Sequence, residues 1–227
     1  MFDNYCVIFD MDGVLADTGP IHFDSWVKLA NEIGKNFTKD LFEETFGQIS
    51  SDIIRKLVGP DIDQRKIKNW ANSKEKYYRE MVKDKLEPLP GALDLIKSLK
   101  DKKLKLAVGS SGPTANVKLL LKTLKIKNFF DCIITGDDVK TGKPAPDVFL
   151  AVTKKLKLSP KNCIVVEDAP VGITAAKRAE MKVIALTTTH ERSEFFNADL
   201  IINDLSEIEF TDIIELFNRD IKKKTHK

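Results

Sequence analysis

The sequence predicts an α/β protein: a doubly wound parallel, Rossmann-like sheet with an inserted α-helical domain. Short apolar runs alternate with amphipathic stretches along most of the chain, the pattern of parallel strands joined by helices. Several runs are unbroken, as at Ile164-Val165-Val166, and a strand without polar alternation is one buried on both faces. A long interval after the first run, residues 16–87, has no comparable run and holds helical patterns instead.

In chain order, strands are expected at residues 5–9, 104–109, 132–135, 163–166, 183–186 and 200–202. Helices are expected at 91–100, 114–125, 147–157 and 171–179, each with apolar residues at helical spacing and lysines facing outward. Within the long interval the patterns are Phe23, Trp26, Val27 and Ala30; Ile53, Ile54 and Leu57; Ile67, Trp70 and Ala71; and Tyr77, Tyr78, Met81 and Val82. These describe helices packing on one another. Pro88-Leu89-Pro90-Gly91 marks the return to the main domain. The expected division is a core domain of residues 1–15 and 88–227 and a helical domain of residues 16–87.

With 227 residues and 42% hydrophobic content, the chain has enough apolar material for one large domain or two smaller ones. The formal charge is +3, but Lys222, Lys223, Lys224 and Lys227 crowd the end; removing these four from 37 leaves 33 basic against 34 acidic residues. Such a tail reads as a solvated terminus, and no basic patch interleaved with aromatics points to nucleic acid. Cys6, Cys132 and Cys163 are odd in number, far apart and next to apolar runs, which suits buried thiols in a reducing compartment. No window approaches a membrane span, and the start carries no leader pattern. The expectation is a soluble, cytoplasmic, monomeric protein with no nucleic-acid or membrane partner.

Chemistry enters at Asp10-Met11-Asp12-Gly13, directly after the first apolar run. Two carboxylates at the end of a buried strand are costly to fold unless a divalent cation or a phosphoryl group compensates them. Like charges that close also push their pKa values apart, leaving one ionised and the other able to act as an acid. Ligands of an open parallel sheet bind beyond the carboxyl ends of its strands. The first run delivers Asp10 and Asp12, the second Ser110 and Ser111, the third Lys143 within Gly142-Lys143-Pro144, and the fourth Glu167 and Asp168. Singly, each has a plain alternative: Ser110 a turn hydroxyl or helix cap, Lys143 a loop lysine, Glu167-Asp168 a cap for the helix that follows. Together they supply hard oxygen ligands for magnesium and donors for phosphate oxygens, the requirement of phosphoryl transfer.

The segments Asp10-Met11-Asp12-Gly13-Val14-Leu15, Val108-Gly109-Ser110-Ser111, Gly142-Lys143-Pro144-Ala145-Pro146-Asp147 and Val166-Glu167-Asp168-Ala169-Pro170-Val171-Gly172 resemble the four ordered motifs of the haloacid dehalogenase superfamily. The resemblance spans nearly the whole chain and is closest to the β-phosphoglucomutase-like subgroup, which carries a helical cap between the first and second motifs. It implies Asp10 as the nucleophile that forms an aspartyl-phosphate, and Asp12 as acid and then base. Ser110, Ser111 and Lys143 would hold the phosphoryl group. Mg2+ would be held by Asp10, the backbone carbonyl of Asp12, and Asp168, with Glu167 as a further ligand or just behind the ligands. An acid-base aspartate at Asp12 favours phosphoryl chemistry over dehalogenation.

On the cap side, Thr18, His22, Phe46, Gly47 and Lys74 are candidate substrate contacts. His22 and Trp26 after Asp17-Thr18 resemble the mutase hinge, although Trp26 reads better as packing. Phe46 suits cap packing and a substrate-facing wall equally. The mutase places basic residues around a cap glycine to grip a second phosphate, whereas the stretch here is Phe46-Gly47-Gln48-Ile49-Ser50-Ser51-Asp52. Losing two charge-assisted contacts of about 1.5–3 kcal/mol each favours hydrolysis of a small phosphate monoester, a sugar or polyol phosphate, over a β-phosphoglucomutase-type reaction. A non-enzymatic phosphoacceptor signalling domain is the remote alternative, and an inserted cap argues against it.

Overall fold

The computed structural model describes residues 2–82 and 86–224, with side chains as far as residue 219. Of the terminal lysines, Lys227 lies outside the described residues. Six strands, β1 (Cys6–Phe9), β2 (Lys105–Gly109), β3 (Cys132–Ile134), β4 (Cys163–Glu167), β5 (Lys182–Leu186) and β6 (Leu200–Ile202), form one sheet. All pairs are parallel and the order is β3-β2-β1-β4-β5-β6. All six expected strands are present, within two residues of their predicted bounds. The order reverses at β1 and β4, and a crevice opens at such a switch point.

The helices are α1 (Gly19–Glu32), α2 (Lys39–Thr45), α3 (Ser50–Val58), α4 (Gln64–Met81), α5 (Ala92–Asp101), α6 (Thr114–Thr123), α7 (Asp147–Leu156), α8 (Pro170–Arg178) and α9 (Phe210–Lys224). Side chains alternate across each strand, so every strand feeds two apolar layers. Val7, Phe9, Leu106, Val108, Ile164 and Val166 pack with α5, α6 and α9. Cys6, Ile8, Ala107, Cys163 and Val165 pack with Phe149 and Val152 of α7 and Ile173 and Ala176 of α8. Burial on both faces is why these runs carry no polar alternation. The three cysteines are buried free thiols.

Helices α1, α3 and α4 bring Trp26, Leu29, Ala30, Ile53, Ile54 and Ile67 together with Phe37 in a third, separate apolar cluster. Helix α1 starts with Pro in its first turn, and α4 starts at Asp63, whose carboxylate accepts from the Arg65 and Lys66 N–H groups at 2.8 and 3.2 Å. The Ile67 and Tyr77-to-Val82 patterns, separate in the sequence, belong almost entirely to this one 18-residue helix. The apolar patterning did not single out α2 or α9. Helix α2 has only seven residues and is held at its start by Thr38, whose hydroxyl accepts from the Leu41 N–H. Residues 16 and 88 form an antiparallel bridge, and the Leu89 N–H donates to the Leu15 carbonyl at 3.0 Å, so the inserted helices leave and rejoin the sheet side by side. Among the described residues no helix is long and apolar enough to cross a membrane.

Candidate active site

The switch point and the ends of β1, β2 and β4 converge on one buried cluster. Asp10 follows β1, and its N–H still donates to Val166 O of β4 at 2.9 Å, which fixes it beside Glu167. The Lys143 ammonium lies between them, 2.6 Å from Asp10 Oδ1 and 2.5 Å from Glu167 Oε1. The other Glu167 oxygen accepts from the N–H groups of Asp168 and Ala169, at 2.8 and 3.0 Å. Glu167 thus orients Lys143 through one oxygen and is anchored to the backbone through the other.

Asp10, Glu167 and Asp168 present carboxylate oxygens within 4.8 Å of one another, all buried. Burial, with Glu167 and Asp12 nearby, outweighs Lys143 and raises the Asp10 pKa to about 7. Asp168 is likewise pushed well up, first by burial and then by Glu167 and Asp10. Carboxylates raised in this way are short of positive charge, and hard oxygen donors at this spacing fit a divalent cation such as Mg2+. Gly13 helps to form the cluster. Its φ of +73° suits glycine, and a Cβ there would collide with the Asp168 carboxylate. Thr189 was not anticipated from the sequence; its hydroxyl lies 2.7 Å from Asp168 Oδ2.

Asp12 turns the other way. Its Oδ1 accepts from Thr18 Oγ1 at 2.5 Å and lies 3.1 Å from His22 Nε2, while His22 Nδ1 lies 2.7 Å from Lys74 Nζ. Because the ammonium can only donate, His22 accepts at Nδ1 and donates from Nε2, which gives a continuous path Lys74 to His22 to Asp12. Burial would raise the Asp12 carboxyl, but His22, Thr18 and Lys74 together hold it below the ordinary range. The two carboxyls part mainly through their different surroundings rather than through their spacing. The direction is the reverse of a resting Asp12 acid, because these donors hold Asp12 ionised while burial and its acidic neighbours raise Asp10.

Between the strand ends and the inserted helices lies a cavity of about 50 Å³, bordered by Asp10, Asp12, Ser111, His22, Phe46, Gly47 and Lys74. Ser111 Oγ is buried with no hydrogen-bond partner among the described residues, an unsatisfied donor of the kind a phosphate oxygen would accept from. Ser110 Oγ instead accepts from the Gly112 N–H at 3.0 Å and shapes that turn. Phe46 packs on Phe42 at 5.0 Å and also borders the cavity. Trp26 stacks on Phe37 at 5.4 Å as packing, yet it also reaches the cavity. Ser50, Glu75 and Gln48 border the cavity as well and were not singled out by sequence reasoning. Glu75 sits in the charged run Lys74-Glu75-Lys76, which reads as a solvated helix face until the fold buries it.

This geometry has close counterparts. Residues 7–186 match the family model described as haloacid dehalogenase-like hydrolase. The chain is 32% identical over 178 residues to the phosphorylated carbohydrates phosphatase of Thermotoga maritima, covering 78% of this chain and 82% of that one. It is 33% identical over 187 residues to the fructose-1-phosphate phosphatase YqaB of Escherichia coli, covering 81% of this chain and 97% of that one. A β-phosphoglucomutase structure from Clostridium difficile superposes with a TM-score of 0.86 at 27% identity, covering 96% of this chain and 98% of that one. With four motifs at the ends of a 3-2-1-4-5-6 sheet and a family match across most of its length, the chain belongs to the haloacid dehalogenase-like hydrolase family.

Proposed function

We propose that the protein is a Mg2+-dependent phosphatase that hydrolyses a small phosphate monoester, a sugar or polyol phosphate, through an aspartyl-phosphate on Asp10. The observation that carries this is Lys143, braced by Glu167 against Asp10: one ammonium set to steady both the nucleophile and the phosphoryl oxygens. The names of the Thermotoga and Escherichia relatives, both sugar-phosphate phosphatases, support the substrate class.

In this reading the Asp10 carboxylate attacks phosphorus, the ester P–O bond breaks, and Asp12 gives its proton to the leaving oxygen. Water then attacks the phosphoenzyme, Asp12 takes its proton, and the bond to Asp10 breaks to release phosphate. Asp12 is ionised at rest, which suits the second half. A phosphate dianion arriving beside it raises its proton affinity for the first. Ser111 and Lys143 hold the phosphoryl oxygens, with Ser110 shaping the turn. Asp10, Asp168 and the Asp12 carbonyl would hold Mg2+, which supplies a hard positive charge facing the phosphoryl group. Residues 16–87 act as a cap over a core of residues 1–15 and 88–227, and Thr18 and His22 link that cap to Asp12. The three buried thiols support a cytoplasmic setting.

The likeness to β-phosphoglucomutase favours a mutase as the second reading. Against it, the stretch from Phe46 to Asp52 holds no lysine or arginine, and the Ser50 hydroxyl is turned to Glu75. Phosphate release from a panel of sugar phosphates should require Mg2+, stop with chelator and resume on its return. Asp10→Asn should reduce it by at least about 10³-fold while leaving the circular dichroism and melting curve of a folded protein. Near-normal turnover by Asp10→Asn, or indifference to chelator, rejects the assignment.

A further inference from the structure

The wall of the cavity facing the strand ends is governed by an acid. Glu75, on α4, has a side chain only 9% exposed. Its Oε1 accepts from Ser50 Oγ at 2.6 Å and Lys74 Nζ at 3.1 Å, and its Oε2 accepts from Asn116 Nδ2 of α6 at 2.5 Å. Asn116 is pinned in turn, because Arg79 donates to its Oδ1 at 2.8 Å. That fixes which end of the amide faces Glu75. Burial alone would raise the carboxyl, but Lys74, His22 and Ser50 hold it below the ordinary range, so it is ionised at neutral pH.

Glu75, Ser50 and Lys74 all border the cavity, and Lys74 is the one lysine or arginine among the described residues that does. Its ammonium is already committed to His22 and Glu75. Glu75 thus shares that cation with His22, and among the described residues no ammonium on this wall is left over for a second phosphoryl group. The wall also carries a hydroxyl, Ser50, which donates to Glu75 and keeps its own lone pairs for a ligand donor.

We propose that Glu75 is a specificity-determining residue: with Ser50 it accepts hydrogen bonds from the hydroxyls of the substrate's carbon chain and repels a second phosphoryl group. The site therefore takes monophosphates of neutral polyhydroxy compounds and turns away bisphosphates. This rests on the phosphatase reading of the Asp10 end of the cavity. The selection works through a repulsive element as much as an attractive one, since two like charges facing each other in a cavity shielded from water cost far more than in solution.

The test separates the two claims. Calorimetric titration of the Asp10→Asn protein with Mg2+ compares fructose 1-phosphate with fructose 1,6-bisphosphate, and glucose 1-phosphate with glucose 1,6-bisphosphate. In at least one pair the monophosphate should bind at least about tenfold more tightly. Adding Glu75→Gln should narrow that ratio at least about fivefold. Adding Ser50→Arg, which puts a cation on the same wall, should narrow it as well, and it carries the test alone where Glu75→Gln does not fold. Equal or tighter binding of both bisphosphates, or a ratio unmoved in the folded variants, overturns the proposal. Failure of the phosphatase reading registers separately, as no phosphate release from any monophosphate by the protein with Asp10 intact.

Discussion

Asp10 and Asp12 are two residues apart, yet they belong to different circuits. Asp10 faces Lys143 and the acidic cluster, while Asp12 faces Thr18 and His22 on α1. The charge of Glu75 should contribute to stability. Its folded pKa is depressed, because Lys74, His22 and Ser50 overcome burial. Such a group contributes stability that is fully present above the unfolded carboxylate value of about 4.3 and lost as pH falls through the lower folded value. Glu75→Gln should therefore be less stable than the parent at pH 7 by about 1–3 kcal/mol, with the gap closing when urea unfolding is followed below about pH 4. A gap independent of pH would mean that the loss is one of shape rather than charge. Asp10, Asp12, Ser110, Ser111, Lys143, Glu167 and Asp168 were legible in the sequence because each follows an apolar run. Glu75 was not, because partners that hold it in place, Ser50 and Asn116, lie 25 and 41 positions away.

At the level of elements, the start of α8 sets an instructive conflict. Gly172 lies in its first turn, where alanine would ordinarily stabilise a helix by about 0.5–1 kcal/mol. A Cβ at that position would run into the Glu167 carboxylate, the group that holds Lys143 in place. Gly172→Ala should therefore lower the melting temperature rather than raise it, and reduce kcat by about tenfold or more through the displaced Lys143. A stabilised, fully active variant would show that Glu167 can move freely. The strands were legible to within two residues because burial on both faces leaves unbroken apolar runs. Helix α2 was obscured by its brevity, since seven residues give less than two full periods. Helix α9 shows helical spacing at Phe210, Ile213 and Phe217, but its lysine-rich end drew the reading toward a solvated tail.

Across the whole molecule, the site lies where the two halves of the sheet diverge and the inserted helices fold back over it. A cavity of about 50 Å³ is well below the roughly 300–1,000 Å³ of pockets that hold a ligand of substrate size. Binding of a sugar phosphate should therefore require the helices to move outward. The two connections between these helices and the sheet run side by side at residues 16 and 88. His190 adds a further tie, with Nε2 3.3 Å from the Glu43 carbonyl of α2 and Nδ1 2.9 Å from the hydroxyl of Thr189. No local sequence pattern gives that closure, because it depends on contacts between α2 and the loop after β5. The central claim is that this enclosed site passes the phosphoryl group to water and not to a second hydroxyl of the sugar. Phosphorus NMR of β-glucose 1-phosphate incubated with the protein, Mg2+ and a trace of glucose 1,6-bisphosphate reads both fates at once. Growth of the inorganic phosphate signal is the predicted result, and conversion to glucose 6-phosphate with no phosphate released would contradict it.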